Sequence, residues 1–376
     1  MTAATDLRIP AHLLPADGRF GSGPSKVRPE QVAALAEVGT SLLGTSHRQR
    51  PVRALVGRVK AGLTALLDVP EGYEVVLGNG GSSAFWDVAT CCLVENRSAH
   101  ASFGEFGAKF VGAVQRAPFL AEPTVVHGEP GTVALPAHVD GVDAYAWTHN
   151  ETSTGVMAPV RRVPGSREQG ALTLVDATSA AGALPVDVSQ TDVYYFAPQK
   201  VLASDGGLWL AVASPAAIER AARIEAGGRW VPEFLSFSAA VTNSRADQTL
   251  NTPALATLVL LAEQLDWILA QGGLEWAVAR SAESAGHLYS WAQSRDYTTP
   301  FVADEAARST VVGCVDLLPP VEAATVTAVL RANGVVDTEP YRRLGRNQIR
   351  VGLYPAVDPA DVLALTACVD WIVDHL

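Results

Sequence analysis

Short apolar runs alternate with stretches of helical period through the first two thirds of the chain. Tyr73 to Leu77, Ala144 to Thr148, Leu172 to Val175, Val193 to Ala197 and Leu208 to Ala213 read as buried strands with helices between them. That alternation predicts an α/β fold with a largely parallel sheet. Four of the runs end in polar or glycine-rich turns: GNGGSS, HNETSTG, DATSAAG and PQK. Ligands of open α/β sheets collect at the carboxyl ends of strands, so these turns are where chemistry is expected.

Toward the C-terminus the pattern changes. Thr252 and Pro253 read as the N-cap and first residue of a long apolar-periodic helix that ends near Gly272 and links two domains. A helix near Leu274 to Arg295, a strand near Thr310 to Leu317, a helix from Val321 to Ala332, a strand near Gln348 to Leu353 and a closing helix started by Asp358 and Pro359 predict a smaller α+β unit. The expected division is an N-terminal segment, 1–18, packing near the small domain, a large domain, 19–265, and a small C-terminal domain, 266–376.

Composition narrows the class. Of 376 residues, 48% are hydrophobic and 18% charged, with 32 Gly and 23 Pro, which excludes a disordered, collagen-like or coiled-coil chain. Lys and Arg total 28 against 39 Asp and Glu, a net charge of −11, so nucleic acid is not an expected partner. An anionic substrate must be met by arginines gathered locally against that field. Cys91, Cys92, Cys314 and Cys368 match neither a zinc spacing nor a disulfide framework, so no metal is expected and a reducing cytoplasm is the expected setting. The N-terminus lacks a basic region followed by an apolar core, and no run of about 18 apolar residues occurs later, so neither export nor a membrane partner is expected.

Asp176 follows LTLV and Lys200 follows VYYFAPQ, both at strand ends that one crevice can bring together. A lysine that is partly desolvated and near another cation loses its proton more easily, and its amine can then attack a carbonyl. An aspartate beside a protonated heterocycle keeps the ring cationic, as pyridoxal phosphate needs in order to act as an electron sink. From spacing alone, solvated loop residues or a plain ion pair are the commoner explanation of the two. The turn Gly78 to Ser83 precedes the helix AFWDVATCCL, a context in which backbone N–H groups and the helix dipole can hold a phosphate. It is neither a P-loop nor a GxGxxG turn.

Taken together these residues resemble the fold type I pyridoxal-phosphate enzymes, and within them the phosphoserine aminotransferases. The likeness runs from FGSGPSKVRPEQV and TSHRQ through GNGGSSAFW, THNETSTG, VDATSAAG and FAPQK to NTP and IRVGLYPAV. It implies that family's fold, a large domain with a mainly parallel seven-stranded sheet plus a smaller α+β domain, and pyridoxal 5'-phosphate as cofactor. It implies that Lys200 is the catalytic residue, holding the cofactor and shuttling the substrate proton. By the same resemblance Asp176 pairs with the pyridine nitrogen, Phe106 stacks on the ring, Thr152 bonds the cofactor hydroxyl, and Ser82, Ser83, Ser179 and Gln199 contact its phosphate. Asn251 and Thr252 match a pair that reaches that phosphate from a neighbouring subunit, which implies a homodimer with shared sites.

The implied reaction is the reversible transamination of O-phospho-L-serine with 2-oxoglutarate to 3-phosphooxypyruvate and L-glutamate, a step of serine biosynthesis, with 4-phosphohydroxy-L-threonine as a conceivable second substrate. Carboxylate and phosphate both suit arginine forks. Arg350 matches the residue that binds the α-carboxylate, and His47 and Arg48 match the pair that binds substrate phosphate across the dimer. Arg342, Arg343 and Arg346 form a basic cluster upstream of Arg350, open between phosphate contacts and an exposed loop. Ser83 stands where the family pattern has an arginine, and Arg342 and Arg343 stand near its His-Arg pair at a different spacing. Two other readings stay open. One is a serine or alanine aminotransferase, which leaves His47, Arg48 and Arg342 without a task; the other is a non-catalytic binding protein, which leaves Lys200 without one. Cysteine desulfurase is disfavoured because Cys314 is expected far from Arg350.

Overall fold

In the computed structural model residues 7–376 are described. The large sheet is built from β1 (Glu74–Asn79), β2 (Ser98–Ser102), β3 (Thr124–His127), β4 (Ala144–Thr148), β5 (Leu172–Asp176), β6 (Val193–Phe196) and β7 (Leu208–Ala213). Its spatial order is β1-β7-β6-β5-β4-β2-β3. Neighbours from β6 through to β3 pair in parallel, while β7 runs antiparallel to both β1 and β6. The seven-stranded, mainly parallel sheet expected from the sequence is therefore present.

Successive side chains of a strand point to opposite faces, so fully apolar strands need cover on both sides. Leu77, Tyr145, Val175, Tyr194 and Leu210 face one layer, formed by α1 (Pro29–Leu42), α2 (Arg50–Leu66) and, later in the chain, the helix at Leu255–Gln271. Val76, Ala146, Leu174, Tyr195 and Trp209 face the other, formed by α3 (Gly81–Cys92), α4 (Glu105–Gln115), α5 (Pro215–Ala226) and α6 (Phe237–Arg245). Three layers result, and the loops at the carboxyl ends of the parallel strands open along one edge.

The helix at Leu255–Gln271, α7, starts later than the sequence pattern predicts. Thr252 and Pro253 do not cap it; Ala254 holds the cap position without a side-chain bond. The Thr252 hydroxyl is instead engaged with His47 Nδ1 at 3.2 Å, which removes it from the helix terminus. Ile268 of α7, beyond the expected boundary at 265, still packs in the large core.

After α7 come α8 (Gly273–Ser294), β8 (Thr298–Pro300), β9 (Val312–Leu317), α9 (Ala323–Ala332), β10 (Gln348–Gly352) and α10 (Pro359–Val373). The three strands form an antiparallel sheet in chain order, and Leu288, Val326, Ile349 and Leu365 lie in a separate core. Asp358 caps α10, accepting from Ala360 N at 2.9 Å. The segment from Leu7 lies against this unit: Ile9 N donates to Asn333 Oδ1 at 3.0 Å and Ala16 N to Asp361 Oδ1 at 2.8 Å. Residues 1–6 of the expected N-terminal segment lie outside the described residues. Among the described residues no helix is long and apolar enough to cross a membrane.

One expectation is corrected here. Cys314 is not remote from Arg350: the two are direct partners across the β9–β10 ladder. The thiol is fully buried and pushed up to about 12 by that burial, so it stays protonated and offers no thiolate nucleophile.

Candidate active site

Strand β1 leaves the sheet through Gly80 and Gly81, with φ of 111° and 73°, values that favour glycine. Gly80 N donates to Gly207 O at 2.9 Å, tying the turn to the start of β7. Helix α3 begins at Gly81, so Ser82 and Ser83 occupy its first turn, where backbone N–H groups have no partner within the helix. This terminus opens into a cavity of 360 Å³ lined also by Phe106, Thr152, Asp176, Gln199 and Lys200.

Lys200 is buried at the turn after β6, and its Nζ donates to Ser22 O at 3.0 Å. Its position depends on the loop from the N-terminal side, because a Cβ on Gly23 would fall 1.8 Å from Nζ. Burial pulls the ammonium down to about 8; the positive field of Arg350 adds to the effect, while Asp176 and Glu151 oppose it. An amine titrating there is available as a nucleophile and as a base close to neutral pH.

Asp176, at the end of β5, is held on both oxygens. Oδ2 accepts from Trp86 Nε1 at 3.0 Å, and Oδ1 accepts from Thr178 N at 2.9 Å and Thr178 Oγ1 at 2.5 Å. Burial pushes the carboxyl above its usual range, and the bonds from Thr178 and Trp86 hold it down. Since Thr178 gives its proton to Asp176, Ser82 Oγ donates to Thr178 Oγ1 at 2.7 Å, and one relay joins the phosphate turn to the carboxylate.

The remaining expected contacts divide. Gln199 lines the cavity, but the Ser179 hydroxyl does not: it is fully buried, accepting from Asn150 Nδ2 at 2.8 Å and Thr152 Oγ1 at 2.7 Å and donating to Asn150 O at 3.1 Å. Phe106 lines the cavity with its ring centroid 5.7 Å from Lys200 Nζ. It lies in the first turn of α4, whose N-terminus is held by the buried carboxylate of Glu151, accepting from Phe106 N and Gly107 N at 3.1 Å.

The substrate-side candidates also divide. Arg350, on β10, donates to Thr152 O at 3.0 Å and with Arg342 lines a second hollow of 530 Å³. Arg343 pairs with Glu105 at 2.5 Å, and Arg346 is tied to Asp316 away from the cavity. His47, Arg48, Asn251 and Thr252 do not line this chain's cavity. Asn251 meets Asn79, His47 meets Thr252, and Arg48 is exposed.

Among the described residues, Asn150 Oδ1, Gln199 Oε1 and Arg350 Nε are buried without a hydrogen-bond partner. Such groups are costly unless something fills the site. Together with a deprotonatable amine, a fixed carboxylate, an aromatic wall and a helix N-terminus, the donor set fits pyridoxal phosphate. The sequence did not reveal Trp86, Thr178, Asn150, Glu151 or Gly23. Trp86 reads as an ordinary apolar helix residue, whereas the Asp-x-Thr spacing of Asp176 and Thr178 was visible as a possible local turn.

Comparison with known proteins follows the same line. The family described as Aminotransferase class-V matches residues 20–362. A Nocardioides protein named phosphoserine aminotransferase is 60% identical over 370 residues, 98% of this chain and 99% of the relative. A phosphoserine aminotransferase structure from Cytophaga hutchinsonii superposes with a TM-score of 0.86 at 21% identity, over 94% of this chain and 99% of the other. A pyridoxamine-pyruvate aminotransferase structure from Mesorhizobium loti reaches 0.82 at 18% identity, over 98% and 94%. At such identities the two structures share the fold, and the fold does not choose between substrates.

Proposed function

The chain is a member of the class V aminotransferases, and from that premise we propose that it moves the amino group between O-phospho-L-serine and 2-oxoglutarate, giving 3-phosphooxypyruvate and L-glutamate. The observation that carries this reading is the shared cavity of Lys200, Asp176 and the α3 N-terminus, with Arg350 beside it. The relative at 60% identity that bears the phosphoserine aminotransferase name supports the choice of substrate.

The cofactor is pyridoxal 5'-phosphate. When bound it supplies an electron sink for the charge left on the amino acid's α-carbon. The α3 N-terminus with Ser82 and Ser83 would hold its phosphate, Asp176 its ring nitrogen and Phe106 the face of its ring. Lys200, neutral in a large fraction of molecules near pH 8, would take the proton from the donor amino acid's α-carbon on its Nζ in one half-reaction and give one to the α-carbon of the product amino acid in the other. The Arg350 guanidinium, with an unpaired Nε, orients the α-carboxylate. In this reading residues 19–265 hold the cofactor and residues 266–376 carry the carboxylate clamp.

His47, Arg48, Asn251 and Thr252 belong to the same proposal as contributions to a partner subunit's site in a homodimer. The exposure of Arg48, Asn251 and Thr252, and the position of all four residues outside this chain's own cavity, support that role. A cytoplasmic setting is also proposed, supported by four thiols that stand unpaired.

The test is the visible absorption spectrum of the cofactor-loaded protein, titrated separately with O-phosphoserine, glutamate, serine and alanine without any keto acid. Conversion of the band to that of the aminated cofactor by O-phosphoserine and glutamate only is the expected result. Conversion by serine or alanine with O-phosphoserine inert would move the protein to a different substrate class.

A further inference from the structure

Two hollows adjoin the Lys200 cavity. One, of 530 Å³, shares Gly23 and Phe106 with it and carries Arg342 and Arg350. The other, of 510 Å³, shares Ser83 and Trp86 with it and carries Arg343. Lys109, on α4, lines both. Its Nζ lies 5.0 Å from the centroid of the Phe106 ring, the same ring that has Lys200 Nζ 5.7 Å from its centroid. The charge of Lys109 is also felt at Lys200, where it adds to the field that favours the neutral amine.

Two of the arginines lining these hollows are engaged: Arg343 holds Glu105 at 2.5 Å, and Arg350 donates to Thr152 O at 3.0 Å. The acids lining the larger hollow, Asp337 and Glu339, are both paired with Arg331, at 3.0 Å and 2.8 Å. Lys109 has a weaker tie: its Nζ is 3.5 Å from Glu105 Oε1, the oxygen that Arg343 also holds, and its side chain is 40% exposed. A partly exposed i,i+4 pair at 3.5 Å contributes little, and Glu105 stays neutralised by Arg343 when Lys109 swings away.

We infer that Lys109 is a specificity-determining residue of the transamination: it leaves Glu105 and donates to the phosphate of the amino-acid substrate. This rests on the functional reading above. A compact ammonium on a flexible stem suits a phosphate group better than it suits a hydroxyl, and at equal distance a dianion gains twice the Coulomb attraction of a carboxylate. The neighbouring Ser83 brings no charge to the turn, and Lys109 lines the hollow beside it from α4, in addition to the His47 and Arg48 pair proposed to come from a partner subunit.

The test compares the cofactor-loaded wild type with Lys109→Ala and Lys109→Arg. In Lys109→Ala the KM for O-phosphoserine should rise about tenfold to a hundredfold, as for loss of one charge-assisted hydrogen bond. The KM for glutamate should rise by a clearly smaller factor. Inorganic phosphate, used as a competitive inhibitor, should lose potency in parallel with O-phosphoserine, and Lys109→Arg should regain most of both. A phosphoserine KM within about twofold of wild type in Lys109→Ala, or equal rises for phosphoserine and glutamate, would overturn the inference alone. If the wild type itself fails to use O-phosphoserine, the functional reading and this inference fall together.

Discussion

At the scale of single residues, the energetics of the site centre on burying an ammonium. Lys200 titrates near 8 in the folded chain against 10.5 for a free lysine. Between those values the unfolded chain binds more protons than the folded one, so stability rises with pH across that window and is reduced below it. The shift corresponds to a cost on the order of 3 kcal/mol at neutral pH. Replacing the lysine by methionine should therefore stabilise the cofactor-free protein at pH 7 by about 2 to 3 kcal/mol. The gap should close as the pH is raised from 8 toward 10.5, and denaturant unfolding of the two proteins at several pH values reads it directly. Asp176 shows the opposite design, a buried carboxylate kept by three donors from two residues. Its position at a strand end was legible in the sequence, while the role proposed for it came from the resemblance. The indole that holds it was not legible, since Trp86 has the same pattern as any residue on the inner face of a helix.

At the scale of elements, the placement of Phe106 depends on how α4 starts. Glu151 reaches under the helix N-terminus, and Gly104 leaves room for it: a Cβ there would lie 2.3 Å from Glu151 Cγ. Gly104→Ala should push the carboxylate off the terminus and destabilise the protein by about 1 to 3 kcal/mol, as overpacking does. Cofactor affinity should fall with it; thermal unfolding and a cofactor titration would register the two effects, and an unchanged affinity would detach Phe106 from the cofactor. The strands that the sequence pattern identified are those made of apolar residues. The pattern missed β2, which reads SAHAS, because small and polar side chains fill a fully buried strand when the facing helix lies close. It missed β3 because an edge strand is only half covered. The starting point of α7 was misplaced for a different reason: Thr252 has the right chemistry for a cap, but its hydroxyl is engaged by a histidine distant in sequence.

At the scale of the whole molecule, a chain of net charge −11 presents Lys109, Arg342, Arg343 and Arg350 around one opening, so anions are drawn to the site against the overall field. If the sites are shared between subunits, mixing an Arg48→Ala protein with a Lys200→Ala protein should restore activity, because one site of each mixed dimer is intact. No recovery despite demonstrated subunit exchange would count against Arg48 acting on the partner. The order of the large sheet has a consequence for how the protein is made. Strand β1 has β7 as its neighbour, and the turn after β1 is tied to Gly207. On the ribosome, the segment Glu74–Asn79 must wait unpaired until Leu208–Ala213 has emerged, and Arg350 arrives later still. Long-range pairing of this kind is slow and leaves an exposed strand edge in the meantime. A nascent chain therefore has no finished pocket to offer the cofactor until translation is nearly over, and chaperones have that whole interval in which to engage it.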